Sequence, residues 1–175
     1  FGNMPETLAT TEVSPGTKRW DFPPTPPTSS YLIALAVGPF DVLQGAQAPL
    51  PIRVLAPRGQ GALGQLAADA AAAHLRILGD YFNRPYPYPK LDLVAVPEFG
   101  PGAMENPGLI TFREDLLLMD TVRAPTRSRR SMASVLAHEL AHALDDQWFD
   151  LADRERDVVD DDAAFGLTAL VEGSA

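Results

Sequence analysis

Two of the three histidines in this 175-residue chain stand four apart, with a glutamate directly after the first: His138-Glu139-Leu140-Ala141-His142. On a helix each residue advances about 100°, so positions i and i+4 differ by about 40° and lie one turn apart on one face. Two imidazoles placed in this way can reach one ion at zinc–nitrogen distances of about 2.0–2.1 Å. Glu139, displaced around the helix, leans over the open coordination position, where it can take a proton from water on the ion. Zinc lowers the pKa of such water towards about 7, which makes hydroxide available near neutral pH. The remaining histidine, His74, lies in another helical stretch and reads as a packed or surface residue.

A catalytic zinc of this kind needs a third protein ligand. No histidine follows His142 and the chain has no cysteine, so the ligand has to be a carboxylate. Asp160, Asp161, Asp162 and Glu172 are the candidates. The three aspartates sit at the mouth of a helix, where they read as capping and solvated charge. Glu172 follows an apolar helical stretch and would be a charged group on a helix built for burial. A buried carboxylate is expensive unless paired or bound to metal, which favours Glu172.

These residues need elements to hold them. Ser131 to Ala137 is small and apolar, and a helical pattern runs from Ser128 through Asp146; a last helix is expected from about Asp162 to Ser174. From Leu63 to Phe82 apolar residues at 63, 66, 67, 70, 71, 75, 78, 81 and 82 keep a helical period in an Ala-rich body. Tyr31–Val37, Phe40–Leu43, Pro51–Ala56, Leu91–Val96 and Gly108–Phe112 read as strands, the first two separated by Gly38-Pro39. Residues 1–29 carry Pro15-Gly16 and the cluster Pro23-Pro24-Thr25-Pro26-Pro27, which predict turns and extended segments. The texture changes after Pro57, from mainly β to mixed. We therefore expect an α+β chain divided near 57, as residues 1–57 and 58–175.

Composition excludes several function classes. Without cysteine there is no disulfide scaffold, thiolate zinc site or cysteine nucleophile. The formal net charge of -9 argues against binding the phosphate backbone of nucleic acid. No apolar run approaches the roughly 20 residues of a membrane helix, and the start does not read as a signal peptide. The compartment stays open, with the cytoplasm favoured, and a chain opening on Phe reads as a piece of a longer one. Between Asp145 and Asp162 there are nine acidic and two basic residues, a local balance of -7 that leaves -2 for the rest. Such a segment is either a solvated face or an electrostatic surround for a cation.

Three pieces of the sequence together resemble the aminopeptidase N family of zinc metallopeptidases, within the gluzincin group. Gly102-Ala103-Met104-Glu105-Asn106 matches the signature G-A-M-E-N, and Pro107 to Glu114 continues it. Val135 to His142 matches the zinc helix, and Glu172-Gly173-Ser174-Ala175 is similar to E-G-F-A around the third ligand. Asn3-Met4-Pro5, Pro24 to Leu32 and Tyr86 to Asp92 agree more weakly but fall in the expected order.

The resemblance implies the end of a saddle-like N-terminal β domain followed by the first part of a thermolysin-like zinc metallopeptidase domain. It implies a zinc cofactor held by His138, His142 and Glu172, with Glu139 as general base. Glu105 would hold the free α-amino group of a peptide. Gly102, Ala103, Met104 and Asn106 would bind substrate, with the backbone around Gly102 and Ala103 lying along it. The activity implied is removal of the N-terminal residue from peptides.

The sequence also departs from the family pattern. Ala143-Leu144-Asp145-Asp146 stands between His142 and Gln147-Trp148-Phe149-Asp150, adding about one helical turn, and Pro107 replaces the usual Trp. The interval from His142 to Glu172 is longer than the family's. The family's oxyanion-stabilising tyrosine lies beyond the third ligand, whereas Tyr31, Tyr81, Tyr86 and Tyr88 all lie before it. Two other readings stay open at this point: a metal- or peptide-binding remnant without turnover, and a gluzincin endopeptidase.

Overall fold

Apolar residues run almost without a break through three segments, as strands covered on both faces require, and successive side chains fall on opposite faces. Ile52, Val54 and Ala56 join one buried cluster and Leu55 another. Leu91, Leu93 and Ala95 divide in the same way against Val94, as do Ile110 and Phe112 against Leu109. The computed structural model describes residues 1–7, 10–149 and 172, with residues 146–149 described by backbone only.

A short antiparallel hairpin, β1 (Thr11–Ser14) and β2 (Thr17–Arg19), turns on Pro15-Gly16, where Gly16 takes φ +77°. The main sheet contains β3 (Phe40–Gln44), β4 (Ile52–Pro57), β5 (Leu91–Val96), β6 (Ala103–Met104) and β7 (Leu109–Arg113). Its order is β3-β4-β5-β7-β6, with β4, β5 and β7 parallel and the two edge strands antiparallel to their neighbours. Helix α1 (Gln65–Phe82) follows a 3-10 turn at Gly61–Gly64, a short α2 (Glu114–Leu117) follows β7, and α3 (Thr126–Phe149) closes the described fold.

The helices cover one face of the sheet. Small residues Ala67, Ala68, Ala71 and Ala72 with Leu75 form the buried stripe of α1, and small side chains let its backbone approach closely. Met132, Leu136 and Leu140 bury the matching stripe of α3 in the same cluster. Asn83, left-handed at φ 51°, ends α1 with its N–H on the Asp80 carbonyl, two residues before Pro85. Tyr81, counted on the periodic face in the sequence, is exposed. Among the described residues no helix is long and apolar enough to cross a membrane.

The opposite face is covered by the beginning of the chain: Phe1, Ala34, Ala36 and Phe40 pack over Leu55, Val94 and Leu109. Here one expectation is corrected. Tyr31–Val37 is not a strand; Ser30–Leu32 is a 3-10 turn and only Leu35 makes a bridge, to Gly2. Its neighbour is the short run at the start of the chain, and the Leu32 carbonyl accepts side-chain amides instead of a ladder partner. Ile33, Leu35 and Val37 are exposed as a result.

The sheet is continuous across residue 57. β4 ends there, paired with β3 on one side and β5 on the other. The last helix expected at 162–174 lies outside the described residues apart from Glu172.

Candidate metal centre

Burial of Leu136, Leu140, Ala143 and Leu144 fixes the rotation of α3 and so fixes where His138, Glu139 and His142 face. The two imidazoles meet with Nε2 atoms 3.0 Å apart and ring planes at 83°. Glu172 Oε2 stands 3.7 Å from His138 Nε2 and 3.8 Å from His142 Nε2, and the three ligand atoms all lie within 4.8 Å of one another. Two nitrogens bound to one tetrahedral zinc would stand about 3.3–3.4 Å apart, given bonds of about 2.0–2.1 Å. The spacing and the chemistry of the donors, two imidazoles and a carboxylate, therefore fit a zinc ion. Glu172 is exposed, at 61% of its side chain, so the burial expected of it is not found. Helix α3 runs unbroken through Ala143–Asp146, the residues that lengthen it relative to the family pattern.

Electrostatics at the centre are those of crowded carboxylates. Glu139 is buried, and burial first, then the charges of Glu105 and Glu172, push its carboxyl up to about 7. Burial and the neighbouring His138 pull His142 below the ordinary imidazole value, against the opposing pull of Glu105, Glu172 and Asp145. His142 is thereby held in the neutral form that can donate a lone pair to a metal. Asp145, at the head of the acidic segment, is buried one turn beyond His142. Asp160, Asp161 and Asp162 lie outside the described residues.

The second wall of the centre is β6 and the turn after it. Ala103 pairs with Phe112 and Met104 with Thr111, and the Gly102 carbonyl accepts from Arg113 N at 2.9 Å. β6 is the last strand of the sheet and is in contact with α3, the helix that carries His138 and His142. An edge strand presents unpaired backbone groups to which an extended chain can add. Glu105, half-buried directly after β6, is close enough for its charge to act on both Glu139 and His142. Asn106 is turned inward: it is buried, donates to the Leu32 carbonyl at 3.2 Å and accepts from Thr111 Oγ1 at 3.2 Å.

Comparison with known proteins adds to this geometry. Residues 66–150 match the description "Peptidase family M1 domain". "Aminopeptidase M1-B" of Oryza sativa subsp. japonica is 44% identical over 126 residues, 71% of this chain and 14% of that protein. The chain belongs to peptidase family M1, the aminopeptidase N family of gluzincin metallopeptidases. "Alanine/arginine aminopeptidase" of Saccharomyces cerevisiae is 42% identical over 137 residues, 78% of the chain and 16% of that protein. "Aminopeptidase N" of Acetobacter pasteurianus is 40% identical over 147 residues, 83% of the chain and 40% of that protein. This M1 chain thus spans a minor part of the length of each of these relatives. The family match takes in residues 102–106 and 138–142 and ends before Glu172. Glu172 is placed by geometry and not by that match.

Sequence reasoning did not give a role to Asn3 or Lys90, both buried in the M1 fold. Asn3 Nδ2 donates to the Pro107 carbonyl at 2.8 Å and the Leu32 carbonyl at 3.0 Å, and its Oδ1 accepts from Ala34 N at 2.8 Å. Lys90 Nζ donates to the Gly108 and Gly2 carbonyls and to Asp92 Oδ2. The triplet Asn3-Met4-Pro5 shows only as a likeness in order, because the partners of Asn3 lie 29, 31 and 104 residues away.

Proposed function

We propose that this chain carries the zinc-binding and amine-binding core of an aminopeptidase that removes the N-terminal residue from peptides. His138, His142 and Glu172 would hold zinc. When bound, zinc supplies Lewis acidity that polarises a carbonyl and brings the pKa of water towards neutrality. Glu139 acts as general base: its carboxylate accepts a proton from the attacking water. Glu105 holds the α-ammonium group of the substrate, and its fixed placement after β6 measures one residue from the scissile carbonyl. The outer edge of β6, formed by Gly102, Ala103 and Met104, lies along the peptide. The inward Asn106 takes part by holding the turn that carries Glu105.

On this reading the sheet and helices from β3 onward begin a thermolysin-like catalytic domain. The segment ahead of β3 is the end of a saddle-like β domain. The observation that carries the proposal is the meeting of His138, His142 and Glu172 within reach of the Glu105 charge. The test measures zinc content in the full-length protein and hydrolysis of aminoacyl-anilides beside an N-acetylated control. We expect one zinc per chain and cleavage of the free-amino substrate alone. Stoichiometric zinc without hydrolysis would overturn the enzymatic reading. Cleavage of the blocked substrate would overturn the role of Glu105 and favour an endopeptidase.

A further inference from the structure

We infer that Asn3 is a positioning residue for Glu105, joining the beginning of the chain to the turn that carries the amine-binding carboxylate. The inference rests on the role proposed for Glu105. Residues 105–108 belong neither to β6 nor to β7; backbone bonds reach only the Asn106 and Gly108 carbonyls, from Leu109 N and Asp92 N at 3.0 Å each, and the Pro107 carbonyl is taken by a side chain. Asn3 reaches this turn through two atoms. Its Nδ2 is a buried donor to the Pro107 carbonyl at 2.8 Å. Its own carbonyl lies so close to Gly108 that a Cβ there would stand 2.1 Å from it, and Gly108 holds φ +75°.

The same Asn3 amide shares an acceptor with the turn. The Leu32 carbonyl takes Asn3 Nδ2 at 3.0 Å and Asn106 Nδ2 at 3.2 Å. Asn3 Oδ1 meanwhile fixes the strip just after Leu32 through Ala34 N at 2.8 Å. Three segments, around residues 3, 32 and 107, therefore lock at one carbonyl, and the residue immediately ahead of Asn106 is Glu105. Every polar atom of the Asn3 side chain is engaged, so no isosteric residue reproduces the pattern: aspartate keeps the acceptor and loses both donations.

A role in positioning the ammonium site differs from a merely structural one in what it changes. The experiment uses the full-length protein with two competitive ligands that differ only in the α-amino group, an amino-acid hydroxamate and its des-amino counterpart. The ratio of their inhibition constants reads how well Glu105 is placed. For Asn3→Asp and Asn3→Ala we expect the preference for the amine ligand to fall about tenfold, since small misplacements of a binding group are costly. The des-amino ligand and the zinc content should stay within about twofold of the original protein. Asn3→Asp preserves size and the bond from Ala34 N but sets a carboxylate against two carbonyls; Asn3→Ala adds no buried charge and serves if Asn3→Asp does not fold. Adding Asn3→Asp to Glu105→Gln should leave the ratio where Glu105→Gln alone puts it.

Equal weakening of both ligands, or a lowered melting temperature with an unchanged ratio, would overturn the inference. If the unsubstituted protein itself shows no preference for the amine ligand, the reading of Glu105 fails. The inference then falls with it, by a result distinct from an unchanged ratio in the variants.

Discussion

One cluster of ionisable groups sits on the main sheet and another on α3 beside it, and their charges are arranged in opposite ways. In the first, Asp92 is fully buried on β5 and takes Arg53 Nε and Nη2, each at 2.7 Å, together with Lys90 Nζ at 2.7 Å. Arg53 also reaches Glu6 at 3.3 Å, so two cations meet two anions. Arg53 stands opposite Asp92 in the parallel register, which presents the guanidinium fork to the carboxylate edge-on. In the second cluster Glu105, Glu139 and Glu172 gather around two imidazoles. Among the described residues none of the ion pairs joins these three to a lysine or arginine. Buried charge is tolerated when paired or when it binds metal. The first cluster is closed by its own residues; the second has the composition of a site completed by a cation.

That difference is sharpest under substitution. His142→Ala removes a proposed ligand, and metal analysis should find zinc lost together with activity. Glu139→Gln keeps the helix and the ligands but removes the base. We expect zinc retained and kcat lowered about 10²–10⁴-fold, the range for a positioned general base. In the metal-free protein, where burial and like charges disfavour this carboxyl, Glu139→Gln should not lower the melting temperature. A marked fall would mean that the second cluster is also self-compensated, and the contrast would be lost.

The first cluster should respond in the reverse sense. Asp92→Ala leaves Arg53 and Lys90 facing each other with no anion between them, and breaking one side of a buried pair costs about 3–5 kcal/mol. Denaturant unfolding should show that loss, while zinc content per folded molecule stays unchanged. An unfolding midpoint equal to that of the unsubstituted protein would refute the structural role of Asp92.

How far each cluster was legible in the sequence follows from how local it is. His138, Glu139 and His142 occupy five consecutive residues, so helical geometry alone brings them together. The short apolar, β-branched runs in Ile52–Ala56 and Leu91–Val96 likewise mark strands without knowledge of their partners. Residues 102–106 were legible as a motif, yet their place on the sheet edge depends on pairing with β7. Tyr31–Val37 has strand composition, but its neighbour is the short run at the start of the chain, which gives it a single bridge and no ladder. The bonds of Asn3 to Pro107 and Lys90 to Gly2 span 104 and 88 residues, and no local periodicity encodes them. An Asn or Lys next to a strand reads as surface until the fold buries it.

The smallest expected effect concerns Tyr86, which touches the compensated cluster at its edge. Its Oη accepts from Gly108 N at 2.9 Å, while the Gly108 carbonyl takes Lys90 at 2.7 Å. Burial raises the phenol well above its ordinary value, and the Gly108 bond opposes this only in part. Above pH about 10 the unfolded chain releases this proton and the folded one keeps it, so stability present below that pH is lost as pH rises. Lys90 acts with the opposite sign. Burial lowers its pKa, so stability rises with pH between its folded value and the ordinary one of about 10.5. Tyr86→Phe keeps the ring and leaves the Lys90 contribution in both proteins, so the difference between the two isolates the phenol. Urea midpoints between pH 9 and 11 should fall more steeply for the unsubstituted protein, with an extra slope of at most about 1.4 kcal/mol per pH unit. Parallel curves would show that the phenol titrates alike in both states and that the polar edge of this cluster is open to water.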